Sequence, residues 1–525
     1  MLNFLPELLR AVVTVVGAII LARFYLKFID FPGGDLNRWF GAWVLLSIAA
    51  FASGHFLVFS FFVLIAGLIV TRGSEGFAPA AYVLLLPVTP LFVWMVPGFA
   101  GINRILGLDL QRILTLVVLL PALLASRQAS QARRPLIANA IDFCFLGYCL
   151  WMMLLSLIHR DTPTDKLRFF VEYFLFLLIP YLACTRLIRT VAHFRLVIIA
   201  LAFTGIVECF IAMVEQRLTW WPYRLLPSAL SMELPPAFAF SSEMRFGYLR
   251  VRAGLEAALG IVLTFALAAF ICLWRMKLIQ RWKAWTVVAL FAMTIFFTGS
   301  RGAWLACSLM LAATVGFAFI RTPIRFVFVA ALAAFVAPAA RDYILGKDDF
   351  GTFDYRSELV RLALPMAWDK PILGWGSLEK LYATGRLEEL RQGQGIIDFV
   401  NTYLGEIVLR GVPGFALFAG ALFFSLWSVL VRHRAGGERG FHPEIAAMLA
   451  SMVVAFAFVL VTISTVSHIP SYLWLLVALC SAFAALPPGT EGDLAEPVSA
   501  PAGVRRLRRN GQPSLSSRTV KTPRA

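Results

Sequence analysis

The chain has 525 residues, 60% of them hydrophobic and only 15% charged, with a formal net charge of +17. A soluble protein of this length would show several domains and about 25% charged residues, so a soluble fold is excluded. The positive balance would suggest nucleic acid in a soluble chain. Here it is explained by Lys and Arg in cytoplasmic loops of a membrane protein, and no nucleic-acid partner is expected.

A membrane-crossing helix needs roughly 20 apolar residues, and backbone groups in lipid must pair within their own segment, so long apolar runs read as helices. They fall near 8–29, 39–71, 79–97, 112–126, 137–158, 169–185, 195–215, 252–274, 284–299, 302–320, 324–339, 412–431, 444–464 and 470–486. The 39–71 run is too long for one untilted span at about 1.5 Å per residue, and Gly54-His55 offers a break. The expected fold is therefore all-α: a polytopic membrane protein with roughly 13–15 spans, most simply about 14. The N-terminus lacks a short hydrophobic core followed by a small-residue cleavage site, so the first run is expected to remain as an anchor. All seven cysteines lie inside apolar segments without a CxxC pair, and neither a disulfide framework nor a metal site is predicted.

The short segments 127–134, 186–195, 275–283, 321–325 and 432–439 hold 15 Lys and Arg, against 6 in 103–112, 159–168 and 299–302. The basic set falls on one side if the runs alternate, and that side is predicted to be cytoplasmic. Segment 217–252 breaks the trend with Arg217, Arg224, Arg245, Arg250 and Arg252 on the outer side. Basic residues kept where topology disfavours them point to an anionic ligand. Segment 340–400, with 8 basic and 10 acidic residues, is too polar to span and is expected to form a small helical cap on the outer face, including an amphipathic stretch near 385–399. The expected organisation is 1–245 as N-terminal spans, 246–339 as a core, 340–411 as the outer loop, 412–487 as C-terminal spans, and 488–525 as a disordered basic cytoplasmic tail.

Three places carry chemistry-bearing residues at the outer edge. In Thr298-Gly299-Ser300-Arg301-Gly302-Ala303-Trp304, glycines on either side of Ser300-Arg301 allow a sharp turn and close approach. The helix that follows aims N–H groups and its positive dipole end at the same place, which suits an anion; a helix hairpin with a snorkelling Arg explains it equally well. In Arg250-Val251-Arg252-Ala253-Gly254, guanidinium forks match phosphate oxygens, although alone the cluster reads as interface anchoring. In Asp398-Phe399-Val400-Asn401-Thr402-Tyr403-Leu404, Asn and Tyr could bond sugar hydroxyls and Asp398 could serve as a base; as an isolated string, a capped helix start is favoured. The histidines read as packed or interfacial residues.

These places, in this order, resemble the O-antigen ligase and polysaccharide polymerase superfamily. The segment FFTGSRGAWLACSLMLAATV (296–315) is similar to the family signature. Arg356, Trp368 and Pro371-Ile372-Leu373-Gly374-Trp375-Gly376 resemble its R…W…P-x-x-G-x-G loop pattern. Asn401 with Gly411-Val412-Pro413-Gly414 resembles its N-x9-G-x-x-G closing element, and Arg250-Val251-Arg252-Ala253-Gly254 its upstream Arg-Gly element. The resemblance covers roughly 245–485 and implies a GT-C-like membrane glycosyltransferase in the bacterial inner membrane, with its large loop periplasmic. It implies a donor glycan on undecaprenyl pyrophosphate, membrane lipid and other polysaccharide assembly and export proteins as partners, and no cofactor. Arg252 and Arg301 would hold the pyrophosphate; either a residue of this chain supplies the catalytic base, with Asp398 and Glu406 as candidates, or the hydroxyl attacks without one. Arg250, Ser300, Arg356, Asn401 and Tyr403 would bind substrate.

Ligases of this superfamily usually carry His directly before the Asn of the closing element, whereas this chain has Val400. That departure leans the reading towards a polymerase of exopolysaccharide or O-antigen repeat units, with an O-antigen ligase acting on lipid A-core as the alternative. A transporter or flippase would show paired repeats with broken helices and intramembrane charges, and the sequence shows neither. Alkaline phosphatase fused near Gly385 is expected to be active and the same fusion near Gly503 silent; the opposite pattern would overturn the orientation.

Overall fold

The computed structural model describes residues 5–26, 36–71, 77–98, 104–126, 135–232, 244–245, 247–319, 352–391, 397, 399–435 and 442–486. The apolar run at 324–339, the tail from 488 and Asp398 lie outside the described residues. The protein is an all-α polytopic membrane protein, with two small two-stranded ribbons among the described residues. Among the described residues, six helices are long and apolar enough to cross a membrane: Pro6–Leu26, Leu136–His159, Pro163–Leu187, Val191–Leu218, Glu256–Arg275 and Thr402–His433. Shorter apolar helices include Phe56–Thr71, Leu110–Ala125, Pro443–Val459 and Ile469–Ala485.

Val191–Leu218 and Glu256–Arg275 are almost wholly buried and form the centre of the bundle, while Pro6–Leu26 and Pro163–Leu187 are mostly exposed at its periphery. Small residues let the central helices approach closely. A methyl group added at Gly205 would lie 2.2 Å from the Ala266 Cβ, and one at Gly260 would lie 2.3 Å from the Ala303 Cβ.

Contacts between helix ends fix the direction of travel. The Lys283 ammonium donates to the Phe24 carbonyl (2.7 Å), Phe194 meets Phe483, Arg432 lies over the Phe483 ring, and Phe317 meets His433. Those ends carry the basic segments 186–195 and 275–283. At the opposite end the Trp220 indole donates to Glu7 (2.5 Å), and Leu218, Glu256, Phe297, Arg301, Thr402, Val459 and Ile469 begin or end their helices.

One run breaks where expected, and two other stretches depart from expectation. The 39–71 run divides into Leu36–Ala52 and Phe56–Thr71 at a turn containing Gly54 (φ +67°). The 79–97 run is not a full span: helix Phe77–Leu85 and a 3-10 turn end at Val88, and Trp94–Pro97 instead pairs with Arg104–Leu108 as an antiparallel ribbon. Pro87 and Pro90 interrupt the helical hydrogen bonds there. Within 385–391 the chain makes a single 3-10 turn at Glu388–Leu390 rather than a longer amphipathic helix.

The cap is helical, as expected, but its main element is Thr352–Asp369. Leu359, Ala363 and Met366 from that helix pack with Leu381, Leu387, Leu390 and Phe399, and with Leu404 and Val408 of the following helix, in a core separate from that of the bundle. Helix Thr402–Ala435 is broken at Gly411 (φ +69°, ψ −179°). The carbonyls freed by the break are taken up at once. The Trp375 and Gly376 N–H groups donate to Val408 and Leu409 (3.0 and 2.9 Å), the Trp151 indole to Arg410 (2.9 Å), and the Val412 N–H to Pro371 (2.7 Å).

This zipper requires glycine. A Cβ at Gly411 would lie 2.1 Å from the Ile372 carbonyl oxygen, and one at Gly374 (φ +61°) would lie 2.4 Å from the Leu409 backbone. Gly385 (φ +71°) faces open space. Strain alone costs about 1–3 kcal/mol at such positions. Gly385→Ala is therefore expected to cost about that much, whereas Gly411→Ala, which adds a backbone collision, should cost more and detach the cap. Limited proteolysis and thermal unfolding check this; equal behaviour of the two variants would refute the zipper.

Candidate functional site

The segment following Leu249 is set by the need to satisfy backbone N–H groups in a buried place. The Arg252 and Ala253 N–H groups both donate to Glu215 Oε2 (3.0 and 2.8 Å), and that of Gly254 donates to Glu208 Oε2 (2.9 Å). Ala253 is held at φ +45°, and the Trp221 indole donates to its carbonyl (2.9 Å). A side chain at Gly254 would strike the Pro87 carbonyl oxygen at 2.3 Å. Between the two arginines, the Val251 N–H donates to Phe297 (3.2 Å).

Phe297 closes the helix that leads into the Thr298-to-Trp304 turn. Gly299 (φ +59°) makes the reversal, and the Ser300 hydroxyl accepts from the Ala303 N–H (3.4 Å) at the new helix start. The Trp304 indole reaches back to the Ile295 carbonyl (3.0 Å) and stacks on Phe296. The two helices are thus pinned together at the turn that presents Arg301.

Both arginine-bearing turns meet the segment after helix Pro443–Val459. A Cβ at Gly302 would contact Val459, Thr462 and Ile463. Arg356 of the cap donates through Nη2 to the Thr462 carbonyl (3.1 Å). The Thr402 N–H and hydroxyl donate to Leu460 and Ile463 (both 2.8 Å), and the Tyr403 hydroxyl to Ala457 (2.8 Å). Ser467 donates to Glu256 (3.2 Å), beside the 250–254 loop. Segment 457–467 is therefore the joint at which Arg252, Arg301, Arg356 and Asn401 are gathered through their neighbours.

Arg250, Arg252, Arg301 and Arg356 are all half-buried at this end of the bundle. Ser300 and Asn401 both act as helix caps, the Asn401 carbonyl oxygen accepting from the Leu404 N–H (3.1 Å). Tyr403 uses its proton on Ala457. Val400 packs against the cap core. Glu406 is buried, ion-paired with Arg410 and bonded by the Tyr148 hydroxyl (3.0 Å). Both partners tie its carboxylate into the fold.

Glu208 and Glu215 were missed by the sequence reading, which found no intramembrane charges. Both are buried within an apolar helix. Their spacing of seven, about two turns, puts them on one face, and acidic residues at membrane depth are signals of function. They face the 252–254 loop rather than a transport path, so their presence does not favour a transporter.

Residues 286–419 match the family model described as O-antigen ligase. That span contains the Arg301 turn, the cap and the Gly411 break. No curated protein matches the chain.

Removing one member of a buried ion pair strands the other. Glu406→Gln is expected to destabilise by about 3 kcal/mol, the low end for such pairs because Arg410 keeps partial exposure, while Glu406→Gln with Arg410→Met recovers much of the loss. Thermal unfolding of the purified variants measures both; a stable, fully active single variant would contradict the structural role.

Proposed function

We propose, from the O-antigen ligase-like family to which residues 286–419 belong, that this protein polymerises polysaccharide repeat units carried on undecaprenyl pyrophosphate, at the periplasmic face of the bacterial inner membrane. The observation that carries the reading is the attachment of three arginine-bearing segments to the single joint at 457–467. Guanidinium groups suit a pyrophosphate because their donor forks match paired phosphate oxygens.

In the proposed step, a hydroxyl of the acceptor repeat unit attacks the anomeric carbon of the donor glycan. The bond from that carbon to the pyrophosphate oxygen breaks, and its electron pair leaves with the lipid pyrophosphate. Arg252 and Arg301, with Arg250 beside them, stabilise the growing negative charge. The acceptor proton passes to Asp398 or to water. Ser300, Arg356, Asn401 and Tyr403 border the place where the glycans lie. Val400 favours a polymerase over a ligase because it offers no titratable group where ligases of the superfamily usually carry His. The ligase reading has the description of the matching family in its favour.

Arg252→Ala and Arg301→Ala are each expected to lower polymer formation 10²–10³-fold, corresponding to about 3–4 kcal/mol of lost charge stabilisation, with the protein still folded in the membrane. Arg301→Lys should rescue poorly because an ammonium lacks the planar fork. Deleting the gene should leave single repeat units on the lipid carrier and lipopolysaccharide core unchanged. Long lipid-linked polymer with an uncapped core would instead establish the ligase. Normal activity in both alanine variants would sink the pyrophosphate clamp.

A further inference from the structure

We infer that Glu215, supported by Glu208, is the positioning residue that sets Arg252 for its anionic ligand; the inference rests on the pyrophosphate reading above. Two successive backbone N–H groups, those of Arg252 and Ala253, converge on one Glu215 oxygen, and the next N–H goes to Glu208. Successive N–H groups around a left-handed residue form a concavity that binds anions. Here the chain's own carboxylates fill it, so the backbone of this loop is spent internally and ligand charge must be met by the arginine side chains.

The arrangement does more than hold a loop in place. Glu208 and Glu215 are 0% and 2% exposed, where an apolar side chain would pack at lower cost than a carboxylate. Among the described residues, Glu208 Oε1 has no hydrogen-bond partner, a further cost that packing alone does not explain. What the carboxylates supply is direction. Glu215 bonds the N–H of Arg252 itself and so fixes the peptide from which that side chain departs. The Trp221 indole on the Ala253 carbonyl and the Pro87 carbonyl against Gly254 close the remaining freedom of the loop.

The test is binding of undecaprenyl pyrophosphate to the purified full-length chain in detergent, with thermal unfolding measured in parallel. Glu215→Met, which keeps the side-chain volume but removes the acceptor, should weaken Kd at least tenfold. Glu215→Gln, whose amide oxygen can still accept both N–H bonds, should stay within threefold of wild type. An unchanged Kd in folded Glu215→Met overturns the inference, as does a Gln variant as weak as Met. Should Glu215→Met not fold, Glu215→Asp serves instead: it keeps the charge but withdraws the oxygen by one methylene, and should weaken Kd at least fivefold. A Kd within twofold of wild type for Glu215→Asp would then refute the role. Arg252→Ala separates the two ideas. Wild-type binding by that variant removes the pyrophosphate reading itself, whereas weak binding by Arg252→Ala with normal binding by Glu215→Met removes only the positioning role.

Discussion

Backbone N–H and C=O groups have no water to turn to inside a bilayer, so every place where a helix stops must supply its own partners. The arginine-bearing end of this protein is built from that requirement. The final carbonyls of helix Pro443–Val459 are all taken: Ala457 by the Tyr403 hydroxyl, and Phe456, Phe458 and Val459 by N–H groups of the turn that follows. The turn's own carbonyls, at Leu460, Thr462 and Ile463, accept from Thr402 and Arg356. Satisfying these groups is what brings the cap and the start of helix Thr402–Ala435 onto the same joint as the Arg301 turn.

The break at Gly411 follows the same logic in the opposite direction. A helix that simply continued would pair its Val408 carbonyl with the Val412 N–H, while the Leu409 carbonyl would face Pro413, which has no N–H to give. The left-handed glycine releases them to Trp375 and Gly376, and the cap is thereby hydrogen-bonded to a helix that enters the membrane. Gly374 and Gly411 thus have one explanation. They are the two sides of a single close backbone contact in which a Cβ on either side collides. Gly376 extends it, since a side chain there would enter the ring of His159 at the end of another span.

Much of this was legible in the sequence. Apolar runs of about 20 residues mark helices because bilayer thickness sets their length, and the Gly54 break and the Arg301 turn follow from local backbone chemistry. The ribbon at Trp94–Pro97 was not legible, since an apolar stretch reads alike whether it spans or folds back beside the bundle. The partners of the 252–254 loop were hidden for another reason. Glu215 lies some forty residues upstream, and only tertiary packing reveals that a carboxylate in one helix satisfies the N–H groups of a distant turn. The spacing of Glu208 and Glu215 was visible, but its meaning depended on what faced them. For Asn401 the plain reading of its string as a capped helix start was sound.

The character of the proposed reaction also bears on the Val400 departure. A hydroxyl attacking a sugar carbon gains most when the leaving group departs easily, and a pyrophosphate whose charge is matched by guanidinium groups departs easily. Base assistance comes only from a group within hydrogen-bond reach of the proton. Val400 is packed with the cap core, and Glu406 is closed off by Arg410 and Tyr148, so the described part of the closing element presents apolar packing and helix caps to the acceptor. Under the proposed reading, selectivity for the acceptor then falls to the shape of the space between the cap and the joint at 457–467. The rate falls to the arginines, and through Arg252 to the buried carboxylates that hold its loop.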